Sequence, residues 1–149
     1  MDIEKLREEI KYDEGCVYAV YLDHLGLPTF GIGHLVTQDD PEYQWDVDNP
    51  ISEERVNEAF ESDMNIVLDD CQTLYDDFDE LPQEAQHIIA NMMFNMGRPR
   101  LSKFKKMIQA IHDGNWLEAG YEMKDSRWYK QVTNRADRLI SRMQAVGLS

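Results

Sequence analysis

Glu14, Asp23 and Thr29 are the residues of this chain best suited to chemistry, and they fall within one short stretch, E-G-C-V-Y-A-V-Y-L-D-H-L-G-L-P-T-F-G-I-G-H, from Glu14 to His34. A glycosidic oxygen leaves readily only when a carboxylic acid protonates it. The oxocarbenium ion that develops needs a negative charge nearby. Two carboxylates on different rigid elements, facing one cleft, meet both needs. One must arrive protonated and the other ionised, so their surroundings must differ. Glu14 ends a predicted helix with an apolar stripe, whereas Asp23 lies beyond V-Y-A-V-Y near Gly26, a wetter position. Glu14 is therefore assigned as the acid and Asp23 as its base-like partner.

The spacing of that pair is weak evidence alone, because the chain has 29 acidic residues and most acids are solvated surface groups. Thr29 alone reads as an ordinary strand residue. The ordered string D-E-G-x7-D-x2-G-x2-T-x-G-I-G-H is more specific. It sets the two carboxylates, the threonine and four glycines across a helix, a turn and a hairpin.

Residues 13–37, D-E-G-C-V-Y-A-V-Y-L-D-H-L-G-L-P-T-F-G-I-G-H-L-V-T, closely resemble the active-site segment of the phage T4-type lysozymes. I-A-N-M-M-F-N-M-G at 89–97 resembles that family's central core helix, and S-R-W-Y-K-Q-V-T-N-R-A-D-R-L-I at 126–140 resembles its C-terminal signature. Three blocks in the family's order cover most of the chain. The resemblance implies catalytic roles for Glu14, Asp23 and Thr29. It implies a bacteriolytic, endo-acting muramidase that cuts the β-1,4 bond between N-acetylmuramic acid and N-acetylglucosamine in peptidoglycan. It also implies inversion, with Asp23 and Thr29 holding the attacking water and the carboxyls about 6.5–9.5 Å apart. Leu35, Phe94 and Asn95 match family positions that face the cleft and are weaker substrate-contact candidates. Two further cleft positions depart from the family's polar pattern and become Met107 and Glu122. His34 matches a structural histidine that pairs with an aspartate on the long helix, here Asp63. Arg127 and Arg135 match the last block, as structural ion pairs or as substrate contacts.

The expected fold is α+β and mainly helical, with two lobes in a single lysozyme domain over 1–149. A small antiparallel sheet belongs to an N-terminal lobe of about 12–60. A linking helix covers about 52–75, and a C-terminal helical lobe of about 76–149 takes in the first helix. The local signals agree. Asp2 suits an N-cap before Ile3, Leu6 and Ile10. Val17 to Tyr21 begins a hairpin punctuated by Gly26 and Pro28. Gly31 and Gly33 flank Ile32 where backbone must pack closely. Ser52, followed by Glu53 and Glu54, opens a helix of about 24 residues, or roughly 36 Å at 1.5 Å per residue. Pro82 and Gly97 bracket the next helix. Ile88, Ile89, Met92, Met93 and Met96 are candidate core there, and Phe104, Trp116, Trp128 and Leu139 are candidate core further on. The polar stretch 38–50 is shorter than the family's insert. Its Tyr43 and Trp45 either contact sugar or cap the core.

Composition fits a small soluble enzyme. No apolar run approaches the length of a membrane helix, and the charged N-terminus lacks the core of a secretory signal. The expected location is the host cytoplasm until release to the periplasm or cell wall, with a holin supplying the route for a phage endolysin. No cofactor or metal is called for, because carboxylates suffice and His24, His34, His87 and His112 show no ligand spacing. Cys16 and Cys71 read as free thiols. A monomer is the default, with peptidoglycan as partner and no nucleic acid. The alternatives are a virion-associated lysozyme and a catalytically dead wall-binding module.

Net charge is −14, and it is uneven. Residues 38–84 hold 17 acids and one base, while residues 98–149 hold 11 bases and five acids. A basic C-terminal face suits an anionic wall polymer. The acidic remainder reads as a solubilising surface.

Overall fold

The computed structural model describes residues 1–148. It is mainly helical, with one three-stranded antiparallel sheet in the order β1-β2-β3. Two compact units are present. The first comprises Met1–Leu6 and Val67–Ser149, and the second Arg7–Ile66. Both boundaries fall inside helices rather than in loops, one in α1 (Ile3–Glu14) and one in α2 (Glu53–Leu74). The first residues of α1 belong to the unit that holds the C-terminal helices, and the rest of α1 belongs to the unit that holds the sheet.

The unit Arg7–Ile66 carries the sheet. Asp2 caps α1 through its side chain, which accepts from the Lys5 amide at 3.1 Å. Leu6 and Ile10 are fully buried. The helix stops at Glu14 because Gly15 takes a left-handed conformation, φ +74°, that a residue with a Cβ rarely adopts. β1 (Val17–Leu22) then pairs with β2 (Pro28–Gly31), and β2 with β3 (His34–Leu35). The pairing of β1 with β2 slips between Val17↔Gly31 and Tyr21↔Thr29, an irregularity of the bulge kind. The open edge of β1 is covered by the end of the polar loop. Val20 donates to the Asn49 carbonyl at 3.0 Å and Asp48 donates back to Val20 at 2.8 Å, so the edge offers no template for pairing with another chain.

The rest of the loop is tied down by charge. Arg55 makes a two-pronged contact with buried Glu42 at 2.9 and 3.0 Å, reaches Asp40 at 3.2 Å and Glu58 at 2.7 Å, and lies over the Phe30 ring. Such forked carboxylate contacts hold a segment more firmly than single surface pairs. Tyr43 and Trp45 are 49% and 41% exposed, so neither caps the core.

The other unit is built from α3 (Gln83–Met96), α4 (Arg98–Leu101), α5 (Lys105–His112), α6 (Trp116–Lys124), α7 (Arg127–Gln131) and α8 (Thr133–Ala145). Every residue of α3 from Ala85 to Met93 is buried, as a helix surrounded by others requires. Ile88, Ile89, Met92, Met93 and Met96 are core as expected, and so are Trp128 and Leu139. Phe104 and Trp116 are only partly covered. α6 packs chiefly on α5 and α8, with Ala119, Met123, Leu139 and Met143 fully buried. Gly97 ends α3 at φ +80° and its amide donates to Met93 at 2.8 Å.

Candidate active site

Glu14, Asp23, Thr29 and Leu35 all lie in the unit Arg7–Ile66. The register of the sheet sets Tyr21, Thr29 and Leu35 in one row across three strands, as Cα partners on one face. Asp23 follows Tyr21 by two residues, just past the end of β1. Alternation of side chains along a strand brings it towards the same face.

The turn between β1 and β2 holds Asp23 and Thr29 through one residue. The Asp23 amide donates to the Leu27 carbonyl at 2.9 Å, and the Thr29 hydroxyl donates to that same carbonyl at 3.0 Å. In return, Asp23 Oδ1 accepts from the amides of Leu25 and Leu27 at 2.8 and 2.9 Å. Gly26, at φ +77°, lets the chain reverse. Asp23 is therefore oriented by two backbone donors on one oxygen, and Oδ2 takes no hydrogen bond among the described residues. Thr29 is buried at 4% exposure. Its only proton goes to Leu27, so its oxygen can act towards a water only as acceptor.

Glu14 is partly buried at the end of α1, against the β2–β3 turn. Gly33, at φ +63°, lies so close that an added Cβ would sit 2.6 Å from Glu14 Oε1. The glycines of the G-I-G-H string thus have separate uses. Gly31 packs on Val56, and Gly33 makes room for the Glu14 carboxylate.

Tyr21 is the site residue that sequence reasoning missed. Burial raises the pKa of its phenol above the ordinary tyrosine value, and the negative charges of Glu14 and Asp23 raise it further. The hydroxyl thus feels both carboxylates and stays protonated. The signal in the sequence was its place two residues before Asp23, but only the register sets it beside Thr29.

His34 occupies the opposite face with Phe30. Its Nδ1 is 2.7 Å from Asp63 and its Nε2 is 2.9 Å from Asp40. Two carboxylates, one at each ring nitrogen, favour the imidazolium, in which both nitrogens donate. Desolvation pulls its pKa down, but the hydrogen bonds and charges of Asp63 and Asp40 prevail and the net shift is upward. The expected pairing with Asp63 is present, and Asp40 adds a second partner.

Phe94 and Asn95 lie on α3, in the other unit. Asn95 accepts from the Trp128 indole at 2.7 Å, which ties it to α7. Arg135 donates to Asn91 at 2.8 Å, Arg127 is exposed, and Met107 is fully buried. Cys16 is exposed and Cys71 is buried, both as free thiols. Burial and then Asp70 push the Cys71 thiol up to about 12, which makes it a poor nucleophile. Among the described residues, no group of three His, Cys, Asp or Glu is placed to hold a metal ion, and no helix is long and apolar enough to cross a membrane.

An acid at a helix end, opposite a hairpin that fixes a carboxylate and a hydroxyl together, is a constellation suited to a carboxylate-dependent hydrolase. Comparison with known proteins makes this specific. Residues 11–145 match the phage lysozyme family model, and the chain belongs to that family. It is accordingly a lysozyme, a glycoside hydrolase. It is 30% identical to Probable T4-type lysozyme 2 of Dictyostelium discoideum and 32% identical to Probable T4-type lysozyme 1 of the same organism, over 93% of each chain in both cases. It is also 28% identical to the pre-baseplate central spike protein Gp5 of Enterobacteria phage T4, of which the match covers 26%.

Proposed function

We propose that this chain is an endo-acting muramidase that hydrolyses the β-1,4 bond between N-acetylmuramic acid and N-acetylglucosamine in peptidoglycan with inversion, as a phage endolysin that releases progeny. Glu14 donates its proton to the glycosidic oxygen as the bond to C1 breaks. A water accepted by Thr29 Oγ1 and Asp23 Oδ2 attacks C1 from the opposite face, and Asp23 takes its proton. Proton exchange with solvent resets both carboxyls.

The observation that carries this reading is the shared Leu27 carbonyl. It leaves the Thr29 hydroxyl as an acceptor and Asp23 with an unused oxygen, and these are the two contacts that orient a water for attack. The names of similar proteins support the substrate class, including the peptidoglycan hydrolase gp36 of Pseudomonas phage phiKMV, at 28% identity over 15% of that protein. Similarity to a spike protein supports a second reading, a virion-associated lysozyme that perforates the wall on entry.

The test is clearing of purified Gram-negative peptidoglycan by the wild type and by Glu14→Gln, with new reducing ends and the anomer of the fresh product followed by NMR. Clearing by the wild type, a loss of about a hundredfold in the variant and an α-anomer product support the proposal. No cleavage of several wall types by the wild type removes the enzyme reading, and a fully active variant removes Glu14 as the acid.

A further inference from the structure

The segment between β3 and α2 is anchored by charge. Of residues 38–50, only Glu42 is buried and only Asp40 is partly covered, and every other side chain is exposed. The segment therefore has no apolar anchor in the core. Glu42 is gripped by the Arg55 fork. Asp40 is held from both sides. Its Oδ2 meets His34 Nε2 at 2.9 Å, the Thr37 amide at 2.9 Å and the Thr37 hydroxyl at 3.4 Å, and its Oδ1 meets Arg55 at 3.2 Å.

The far end of the same segment covers the open edge of β1. The Val20 amide donates to Asn49 at 3.0 Å, the Asp48 amide donates to Val20 at 2.8 Å, and the Ile51 amide donates to Tyr18 at 3.0 Å. The covered strand, V-Y-A-V-Y-L, has no charge, glycine or proline. Such a strand pairs readily with others when its edge is bare.

His34 is the member of this anchor whose charge changes near neutral pH. Protonated, it donates to Asp63 on α2 and to Asp40 in the segment at once. Neutral, it keeps one N–H, and its other nitrogen turns a lone pair towards a carboxylate. The two partners are unequal. Asp63 is fixed on a helix, 2.7 Å from Nδ1, whereas Asp40 lies in irregular chain. Asp40 is the partner that yields. Arg55 stays charged, and with Glu42 and Glu58 it keeps its own contacts. Opening the segment means breaking all of its charge contacts together, so losing one raises the open fraction without abolishing the closed form.

We propose that residues 37–49 are a charge-latched cover over the β1 edge, closed while protonated His34 bridges Asp63 and Asp40 and loosened when the ring loses its proton. Desolvation lowers the pKa of His34, but the hydrogen bonds and charges of Asp63 and Asp40 outweigh it, so the latch stays closed to a higher pH than free histidine would allow. The latch does not depend on the muramidase reading.

The experiment is amide hydrogen exchange of the full chain between about pH 6 and pH 9, with the intrinsic exchange rate divided out, while NMR of the His34 ring follows its titration. Protection of the Val20 and Asp48 amides is expected to fall about tenfold or more as the ring titrates, the scale of one hydrogen bond to a charged group. The Val36 amide, which donates to Pro28 at 3.0 Å away from the cover, should keep its protection. Asp40→Ala should show the lower protection already at pH 6 and no further step. Glu42→Gln should lower protection at both pH values and keep the step. Thermal melting reports whether each variant folds, and if Asp40→Ala does not, the wild type and Glu42→Gln decide. No step in the wild type overturns the proposal, and so does an equal step in Asp40→Ala. Parallel loss of protection at Val36 also overturns it, because the event is then global unfolding.

Discussion

Asp23 and Thr29 are joined through a single backbone acceptor, the Leu27 carbonyl, which takes the Asp23 amide at 2.9 Å and the Thr29 hydroxyl at 3.0 Å. The position of one therefore depends on the turn that also sets the other. Thr29→Val keeps the shape but removes the oxygen that accepts from a water, while Thr29→Ser keeps the oxygen. The valine variant is expected to lose about a hundredfold in kcat. The serine variant should stay within about tenfold. Equal loss in both, measured on purified peptidoglycan, would remove the acceptor role.

Gly33 and Glu14 form the second contact of this kind. In Gly33→Ala the new methyl meets Glu14 Oε1 at 2.6 Å, and the left-handed φ of +63° adds backbone strain. The strain costs about 1–2 kcal/mol of stability. The carboxylate must move, and a displacement near 1 Å is expected to lower kcat about a hundredfold. Denaturant melts and steady-state rates together separate these effects. A variant that is destabilised but fully active would show that Glu14 need not stand there.

Tyr21→Phe removes a phenol that feels both carboxylates and is otherwise isosteric. One hydrogen-bonding group in the reacting complex is worth about 0.5–1.5 kcal/mol, so a rate loss of roughly two- to tenfold is expected. The more telling readout is the pH profile of kcat/KM, whose limbs should move because the surroundings of Glu14 and Asp23 change. An unchanged profile would make Tyr21 only a strand residue.

His34 predicts a pH dependence of stability rather than of chemistry. Its folded pKa is raised, so the stabilisation it provides is complete below the unfolded value of about 6.5 and is lost as pH rises through the folded value. Asp40 works in the other direction. Desolvation raises its pKa, but the Thr37 amide, His34 and Arg55 outweigh that and lower it, so its contribution is lost as pH falls through the depressed value. The network, which also includes Asp63, is strongest between those limits. His34→Asn should cost about 2 kcal/mol near pH 5–6, below the penalty for a fully buried pair. The cost should shrink towards pH 9. A pH-independent difference in melting temperature would refute the charged-histidine assignment.

Tyr75 is buried at 4% exposure with a hydroxyl that finds no partner among the described residues, and burial pushes its pKa well above the ordinary tyrosine value. Tyr75→Phe removes that unmatched group without opening a cavity. The change is expected to be neutral or to stabilise by about 1 kcal/mol. A clear destabilisation would reveal a partner for the hydroxyl in solution.

The sequence by itself determined the family, the helical character and the residue types of the site. Three spaced blocks carry enough specific positions to exclude chance, and caps such as Asp2, Ser52 and Gly97 act over a few residues of local chain. It also showed where charge accumulates, because charge is a sum over residues. Only the tertiary structure decided the relations between distant residues. Tyr21 faces Thr29 because of a strand register that slips partway along β1. Asp40 reaches His34, and Glu42 is buried under Arg55, because the loop folds back on the sheet and α2. Each of these depends on long-range pairing and packing, and nothing within a window of the chain encodes them alone.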